Sequence, residues 1–435
     1  MHRTIEHFIT DEMQRQRIPG LSLGIIQNGE LKHYQGYGRA NLEHAVPVYP
    51  HTLFQSGSVG KMFTAAAVML LVEDQLVTLD DVLSDHFPEA PVPWRTITLR
   101  HLLNHTSGLG EDCVDVSRPF TDEAYVAHAY EQALQFAPGR RWHYSNLGYS
   151  LLGILVTRVA GIHLGEFLRS RIFEPAGMET ACMIDESRIV LHRAAGYELV
   201  DDQVCNQAPV SRDANRLGSG SLYLSLEDWT KWDSVVARRA LLSATSWGEV
   251  FKGGKLSSGQ RYPYGLGWDL ATSVDGHPVY GHLGSWQGFV AGFRRYDRHG
   301  VTIVALANLA DVDIETIVDG VAERYSSNLR LTEHSAPADE ASALAHRLRQ
   351  FLLGIVSGKA ERAVFDDAED RGEITEQVQT SDLFQGDFSL RMTSYQPNGD
   401  RLSCTYEACG NDATCTVWVD FDAERKTVAE AFLEV

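Results

Sequence analysis

Apolar residues recur along this chain in two rhythms, one typical of helices and one typical of strands. Residues 3–17 are predicted to form a helix, because their apolar side chains recur at helical spacing: Ile5, Phe8, Ile9 and Met13. Residues 21–26 and 31–38 then read as strands joined through Asn28-Gly29. That dipeptide is a strong hairpin signal, because both residues tolerate a positive φ. The chain therefore opens with a helix and a β-hairpin.

The most continuous apolar stretch follows the hairpin. Residues 62–71 are mostly good helix formers, and small residues at 56–60 precede them. This pattern predicts a loop that leads into a buried helix, with Ser58 at the amino end of that helix. The free N–H groups of a helix amino end can steady a developing negative charge.

Later segments continue the mixture of helices and strands. Helices are predicted up to residues 160–161, over 163–180 and over 312–330. Residues 290–296 and 301–308 are predicted to pair as strands across a turn. No internal repeat accompanies these elements.

A polar segment that contains Pro337 divides the chain. Residues 332–340 have the composition of a linker. Residues 341–357 beyond it predict a helix, and residues 373–435 are rich in strand patterns. The predicted organisation is a first domain over 1–331, a linker over 332–340 and a smaller domain over 341–435.

Composition narrows the class of protein. Hydrophobic residues make up 44% of the 435 residues, which is enough for a substantial core. The formal net charge of -20 disfavours nucleic acid and anionic membranes as partners. No apolar run is long enough to cross a bilayer, and the first residues do not read as a signal peptide.

The six cysteines are scattered and form no C-x-x-C pair. We interpret them as free thiols in a reducing cytoplasm. The cluster formed by Cys404, Cys409 and Cys415 leaves a metal or redox site open as an alternative. Likewise, His101 and His105 have the i, i+4 spacing of zinc ligands, but the glutamate of H-E-x-x-H is missing. The expectation is therefore no metal and no cofactor, with His105 bonding backbone in a turn.

Ser58 and Lys61 form the chain's only S-x-x-K pair. Three residues apart on a helix, they share a face, so their side chains can meet. A lysine among apolar neighbours can lose its charge and take the serine's proton, which would make Ser58 a nucleophile. The alternative is a capping serine followed by an incidental lysine.

Two further segments carry candidate chemistry. Tyr144 and Asn146 form a Y-x-N pair. A phenolate beside a lysine ammonium is a workable base, and the Asn146 amide would contact substrate or Lys61. The alternative is a loop tyrosine and a capping asparagine. Glycines beside His282, Gly284 among them, would let backbone approach a ligand closely, although a lone histidine is often structural. Ser219 and Ser221 lie in a glycine-rich segment interpreted as a flexible, structural connection.

Taken together, Ser58-x-x-Lys61, Tyr144-x-Asn146 and His282-x-Gly284 resemble the serine β-lactamase/penicillin-binding-protein superfamily in order and spacing. Residues 102–109, 138–139, 144–149 and 281–284 are similar to its class C-like branch of esterases and D-aminopeptidases. The resemblance covers about residues 5–330. It implies an α+β fold, with an antiparallel sheet flanked by helices beside an all-helical region and the active site between them.

The resemblance also implies an acyl-enzyme route. Ser58 would attack a carbonyl, Lys61 with Tyr144 would shuttle its proton, and the backbone N–H groups of Ser58 and Ser285 would hold the oxyanion. Many relatives carry a lysine in the third motif to hold a substrate carboxylate. His282, largely neutral at pH 7, stands there instead.

The sequence therefore predicts a serine hydrolase that acts on esters, amides or D-amino-acid peptides. One alternative is a β-lactamase or a D-Ala-D-Ala carboxypeptidase. A second is a catalytically weak binding or regulatory protein that keeps the fold. The expected partner is a small molecule or short peptide, and assembly into a homo-oligomer is left open.

Overall fold

The amino-terminal helix and hairpin form as predicted in the computed structural model. Helix α1 (His2–Gln16) buries Ile5 and Ile9 completely. Strands β1 (Gly20–Gln27) and β2 (Glu30–Asn41) pair antiparallel. Asn28 and Gly29 adopt φ values of 54° and 77° between them, which is the left-handed conformation that a tight hairpin turn requires.

The structure describes residues 2–110, 114–185, 187–220, 222–259, 261–332, 338–357, 368–385, 387–398, 401–410, 413–421 and 428–434. The chain divides into two units, Met1–Thr332 and Glu333–Val435. The first unit contains the predicted site residues. Ser221, Cys113 and part of the predicted linker lie outside the described residues.

The first unit is organised around an antiparallel sheet. The remaining described strands of the unit, inside and outside that sheet, are β3 (Val46–Pro47), β4 (Phe54–Gln55), β5 (Cys182–Met183), β6 (Tyr197–Val200), β7 (Gln203–Asn206), β8 (Leu222–Leu224), β9 (Gly254–Lys255), β10 (Arg261–Tyr262), β11 (Asp269–Thr272), β12 (Pro278–Trp286), β13 (Phe289–Tyr296) and β14 (Val301–Ala307). Among the described residues, seven strands form one sheet in the order β11-β12-β13-β14-β1-β2-β3. The predicted pairing across residues 297–300 is confirmed as β13 with β14.

Strand β14 shows why this sheet is covered on both faces. All seven of its residues are buried. Val304 and Leu306 belong to one hydrophobic core, whereas Ile303 and Ala305 belong to the other. Because successive strand residues point to opposite faces, one strand contributes to two cores.

Helices supply the other side of each core. They are α2 (Lys61–Glu73), α3 (Leu83–His86), α4 (Leu99–Leu103), α5 (Asp122–Tyr130), α6 (Asn146–Ala160), α7 (Leu164–Leu168), α8 (Glu174–Ala176), α9 (Leu226–Arg238), α10 (Ala244–Val250) and α11 (Ile314–Tyr325). Apolar residues of α2, α6 and α9 lie in the larger core, and those of α1 and α11 lie in the smaller one. The predicted α+β fold with a large antiparallel sheet and many helices is confirmed.

Helix α2 is the most deeply buried of the helices that carry site residues. Every residue from Lys61 to Leu71 is buried. A helix that is apolar all round belongs inside a core, so the sequence pattern accounts for its position. In the described chain, no single helix has the length and apolar character needed to cross a membrane. Only the bent pair Asn146–Ala160 and Leu164–Ala176 meets that criterion jointly, with a 76° bend.

The second unit is strand-rich. Helices α12 (Ala338–Val356) and α13 (Ala368–Thr380) precede strands β15 (Ser389–Asn398), β16 (Arg401–Gly410), β17 (Ala413–Phe421) and β18 (Val428–Glu434). The strands form an antiparallel sheet in sequence order. Leu348 and Leu352 of α12 share a core with Tyr406 and Val417 of the sheet, so this unit has its own apolar interior.

Candidate active site

The predicted nucleophile lies in a tight turn at the start of α2. Residues Gly57–Gly60 form a 3-10 turn, and α2 begins at Lys61. The Lys61 Nζ atom lies 3.1 Å from the Ser58 Oγ atom. The Lys61 side chain is completely buried, whereas Ser58 is partly exposed. The three-residue spacing thus brings the two side chains into hydrogen-bond contact.

Lys61 also contacts two oxygens that can only accept hydrogen bonds. Its Nζ atom donates to Asn146 Oδ1 at 2.7 Å and to the Ser219 carbonyl at 2.8 Å. A neutral amine has two N–H bonds and one lone pair. It could keep both of these bonds and still present the lone pair to the Ser58 proton.

The Y-x-N segment lies against the same lysine. The Lys61 Nζ atom is 4.7 Å from the centre of the Tyr144 ring. Ser145 caps helix α6, because its Oγ atom accepts from the Gly148 N–H at 3.0 Å. Asn146 is therefore the first helical residue rather than the cap, and its side chain bonds Lys61 instead.

The backbone of the third motif, at Gly284 and Ser285, contacts the nucleophile turn Gly57–Gly60. A Cβ atom added to Gly284 would lie 2.5 Å from the Ser58 nitrogen, and one added to Gly57 would lie 2.5 Å from the Ser285 nitrogen. Real side chains do not tolerate such contacts, so both positions need glycine. The Ser285 nitrogen is thereby held against the turn that carries Ser58, although Ser285 itself is exposed.

The glycine-rich segment before β8 is tied to the turn and to α2. Three successive carbonyls each accept a hydrogen bond: Gly218 from Thr64 Oγ1 at 2.7 Å, Ser219 from Lys61 Nζ at 2.8 Å and Gly220 from Ser56 Oγ at 2.8 Å. The expectation of a merely flexible connection therefore missed a contribution to the site. Ser219 contributes its carbonyl, which no side-chain motif reveals.

His282 lies behind the site. It is 5% exposed, and its Nδ1 atom faces the Leu283 carbonyl. Its Nε2 atom lies 2.9 Å from the hydroxyl of Tyr264. Burial lowers the pKa of the His282 imidazole from its ordinary value, and the nearby Asp269 carboxylate partly opposes this shift.

His105 is the second buried imidazole of the region. Its Nδ1 atom accepts from the Ser145 N–H at 3.1 Å, in line with the expectation that it bonds backbone. Its Nε2 atom lies 3.2 Å from the Tyr264 hydroxyl. Burial lowers the pKa of His105 well below its ordinary value. His101 instead caps α4, where its Nδ1 atom accepts from the Thr98 N–H, so the two histidines serve different partners.

Tyr264 is a second residue near the site that sequence reasoning missed. It lies in a glycine-rich segment that precedes β11, which begins at Asp269. Gly267 has a φ of 77°, which interrupts any extended run there. The ring of Tyr264 packs among His105, Trp142 and His282. No periodic pattern identifies such a residue, because its neighbours come from distant segments.

A small groove opens above Ser58. Its described lining consists of Gly57, Ser58, Asn146, Ser219, Gly220, Ser285 and Trp286. Trp286 is fixed there, since its Nε1 atom donates to Asn215 Oδ1 at 2.7 Å. No charged side chain belongs to this described lining. Among the residues that the structure covers, no three His, Cys, Asp or Glu side chains gather as a metal site would require.

Two features indicate the general class of this protein: the α+β fold, and the serine–lysine pair at the start of a buried helix. Residues 5–319 match the family model described as Beta-lactamase, and the chain belongs to that family. This membership supports a serine hydrolase in general.

Two curated relatives resemble much of the chain. A penicillin-binding protein from Bacillus subtilis (strain 168) is 27% identical over 335 residues, which is 72% of this chain and 74% of the relative. Protein flp from Staphylococcus aureus (strain MW2) is 26% identical over 371 residues, which is 80% of this chain and 70% of the relative.

Two solved structures share the fold. The D-amino acid amidase from Ochrobactrum anthropi SV3, complexed with L-phenylalanine amide, has a TM-score of 0.64 and 25% identity and covers 74% of this chain and 96% of its own. The octameric penicillin-binding protein homologue from Pyrococcus abyssi has a TM-score of 0.63 and 20% identity and covers 99% of both chains.

Proposed function

We propose that this protein is a serine hydrolase that cleaves esters, amides or D-amino-acid peptides through an acyl-enzyme intermediate on Ser58. The observation that carries the proposal is the 3.1 Å contact between Ser58 Oγ and the buried Lys61 Nζ. A serine hydroxyl becomes a nucleophile when a nearby base takes its proton, and Lys61 is the base in contact with it.

The reaction proceeds in two halves. Ser58 Oγ bonds to the substrate carbonyl carbon while its proton passes to the Lys61 and Tyr144 pair. The pair returns the proton to the leaving alcohol or amine as the scissile bond breaks. Water then attacks the acyl-enzyme by the same proton route, which releases the acid and restores Ser58.

The backbone stabilises the charge that develops on the carbonyl oxygen. The amides of Ser58 and Ser285 are the proposed donors, and Gly284 permits their approach. Asn146 orients Lys61 through their 2.7 Å hydrogen bond. His282 belongs to strand β12, and its Nε2 atom contacts the Tyr264 hydroxyl. Losing one such oxyanion donor typically costs about 3–4 kcal/mol of barrier.

The groove favours substrates that are neutral near the reacting carbonyl. Its described lining offers hydroxyl, amide and indole groups but no cation to hold a substrate carboxylate. An ester or an amide needs no such cation. The likeness to a D-amino acid amidase at 25% identity agrees with this class of substrate.

Covalent labelling tests the nucleophile. A fluorophosphonate or a penicillin should label the wild-type protein, and Ser58→Ala should abolish that labelling. Ser327→Ala changes an exposed serine away from the groove and should label normally. Labelling of Ser58→Ala at the wild-type rate would refute the assignment.

A β-lactamase or D-Ala-D-Ala carboxypeptidase is the second candidate, and the penicillin-binding relative from Bacillus subtilis favours it. Turnover of nitrocefin at the rate of dedicated β-lactamases would support that candidate over ours. Absence of turnover on a panel of esters, D-amino amides and β-lactams would instead favour a binding or regulatory protein.

Assembly and location complete the proposal. A homo-oligomer is proposed because a solved structure that matches the whole chain is octameric, and sedimentation of the full chain tests it. A cytoplasmic location is proposed because the six cysteines are scattered along the sequence and form no C-x-x-C pair. Fractionation of cells after thiol alkylation tests the location.

A further inference from the structure

Two histidines and a tyrosine form a buried cluster behind the groove. His105 is fully buried, Tyr264 is 2% exposed and His282 is 5% exposed. Tyr264 Oη contacts the Nε2 atoms of both histidines, at 3.2 Å for His105 and 2.9 Å for His282. None of the three belongs to the described lining of the groove.

Partners at the two ends fix the direction of the hydrogen bonds. The Ser145 N–H donates to His105 Nδ1, so the neutral His105 ring carries its proton on Nε2. The Leu283 carbonyl can only accept, so His282 carries its proton on Nδ1 and has a lone pair on Nε2.

The Tyr264 hydroxyl completes a chain that runs one way. Its oxygen accepts from His105 Nε2, and its single proton is donated to His282 Nε2. Every donor then has an acceptor, and no proton is left without a partner. This pattern requires both imidazoles to be neutral.

The chain joins two parts of the proposed site. Ser145 lies between Tyr144 and Asn146, and Leu283 directly precedes Gly284 and Ser285. Building on the proposed function, we propose that Tyr264 is a positioning residue. Its hydrogen bonds to His105 and His282 hold the Tyr144–Asn146 segment and the strand that carries the Ser285 amide in their working arrangement.

The same geometry explains why a histidine is suited to position 282. A lysine there would be a donor only. Because Tyr264 Oη already accepts from His105, the Tyr264 proton would then lose its acceptor. His282 thus serves as the acceptor at the end of the chain rather than as a cation for substrate.

Protonation would disrupt this arrangement. A proton on His282 Nε2 would face the Tyr264 O–H, and a proton on His105 Nδ1 would face the Ser145 N–H. Lys61 and His143 face His105, while Lys61 and Asp269 face His282. Tyr144, Tyr149 and Asp269 face Tyr264. Burial keeps the pKa of each imidazole low, which supports the neutral state.

The test compares Tyr264→Phe with Tyr262→Phe, which removes a hydroxyl from a buried tyrosine outside this chain of hydrogen bonds. Tyr264→Phe should lower kcat on the best ester or amide about ten- to hundred-fold with KM nearly unchanged, because the machinery rather than binding is disturbed. The acid limb of its pH–kcat profile should move to higher pH, because His282 Nε2 loses its donor. Tyr262→Phe should retain wild-type values.

A conservative replacement separates positioning from folding. The Oε1 atom of glutamine can accept the Tyr264 proton, so His282→Gln should retain at least ten times the kcat of His282→Leu. Equal kcat in these two variants, or wild-type kcat and pH profile in Tyr264→Phe, would overturn the proposal.

A second readout does not depend on turnover. Ring-nitrogen NMR of the full chain, assigned with His105→Gln and His282→Gln, should show protons on His105 Nε2 and His282 Nδ1 at pH 7.5. Protons on the opposite nitrogens would overturn the proposed chain of hydrogen bonds even if the protein hydrolyses esters. An inactive wild-type protein with the expected tautomers would instead refute the proposed function but still support the chain of hydrogen bonds.

Discussion

Gly284 and Ser58 meet through backbone atoms, so closely that a Cβ atom on Gly284 would lie 2.5 Å from the Ser58 nitrogen. This contact joins strand β12 of the large sheet to the turn at the start of the buried helix. It also places the Ser285 amide next to the nucleophile turn. The position of the proposed oxyanion site therefore depends on Gly284 having no side chain.

Gly284→Ala should push the nucleophile turn away from β12. If one amide donor is lost, the second-order rate constant of fluorophosphonate labelling should fall about 10²- to 10³-fold. Gly248→Ala is the matched control, because a Cβ atom there meets nothing within 4 Å. Labelling of Gly284→Ala at the rate of Gly248→Ala would contradict the geometry.

Lys61→Met should remove the base that activates Ser58. General-base catalysis contributes about 10²- to 10⁴-fold, so the rate of acylation should fall within that range. Stopped-flow measurement of acylation checks this. The control is Lys231→Met, at an exposed lysine of α9, and it should acylate normally. Unchanged acylation in Lys61→Met would point to another base.

Acid should destabilise the fold through its buried imidazoles. The pKa values of His105 and His282 are lowered by burial from an ordinary value of 6.5. Below pH 6.5 the unfolded chain therefore binds protons that the folded chain does not, so stability is present above this pH and is lost as pH falls. Each histidine should reduce the free energy of unfolding by about 1.4 kcal/mol per pH unit until its folded pKa is reached.

Urea unfolding between pH 7.5 and 5.5 measures this slope. His282→Gln should give a shallower slope than the wild-type protein. Equal slopes in the two proteins would contradict this prediction.

A buried ion pair offers a test of stability away from the groove. Arg295 Nη1 lies 2.5 Å from Asp233 Oδ1, and their side chains are 4% and 0% exposed. Asp233→Ala would leave this buried guanidinium with Asp297 as a carboxylate partner, so the free energy of unfolding should fall by at most about 3–5 kcal/mol. Removing an exposed partner in Glu30→Gln should change the free energy of unfolding far less, and similar losses in both variants would refute the distinction.

Local sequence signals predicted the parts of this protein that depend on local rules. The Asn28-Gly29 hairpin and buried α2 follow from turn chemistry and composition, and the Ser58–Lys61 contact follows from helical spacing. Tyr264 and the Ser219 carbonyl could not be found this way. Each has a hydrogen-bond partner more than a hundred positions away, His105 for Tyr264 and Lys61 for Ser219, and no periodic pattern records such contacts.

The three hydrogen-bonded carbonyls of Gly218, Ser219 and Gly220 have a consequence for inhibitor design. Moving residues 218–220 away from the site would break their hydrogen bonds to Thr64, Lys61 and Ser56 together. A rigid ligand shaped to this side of the groove would therefore gain affinity without first having to organise its receptor.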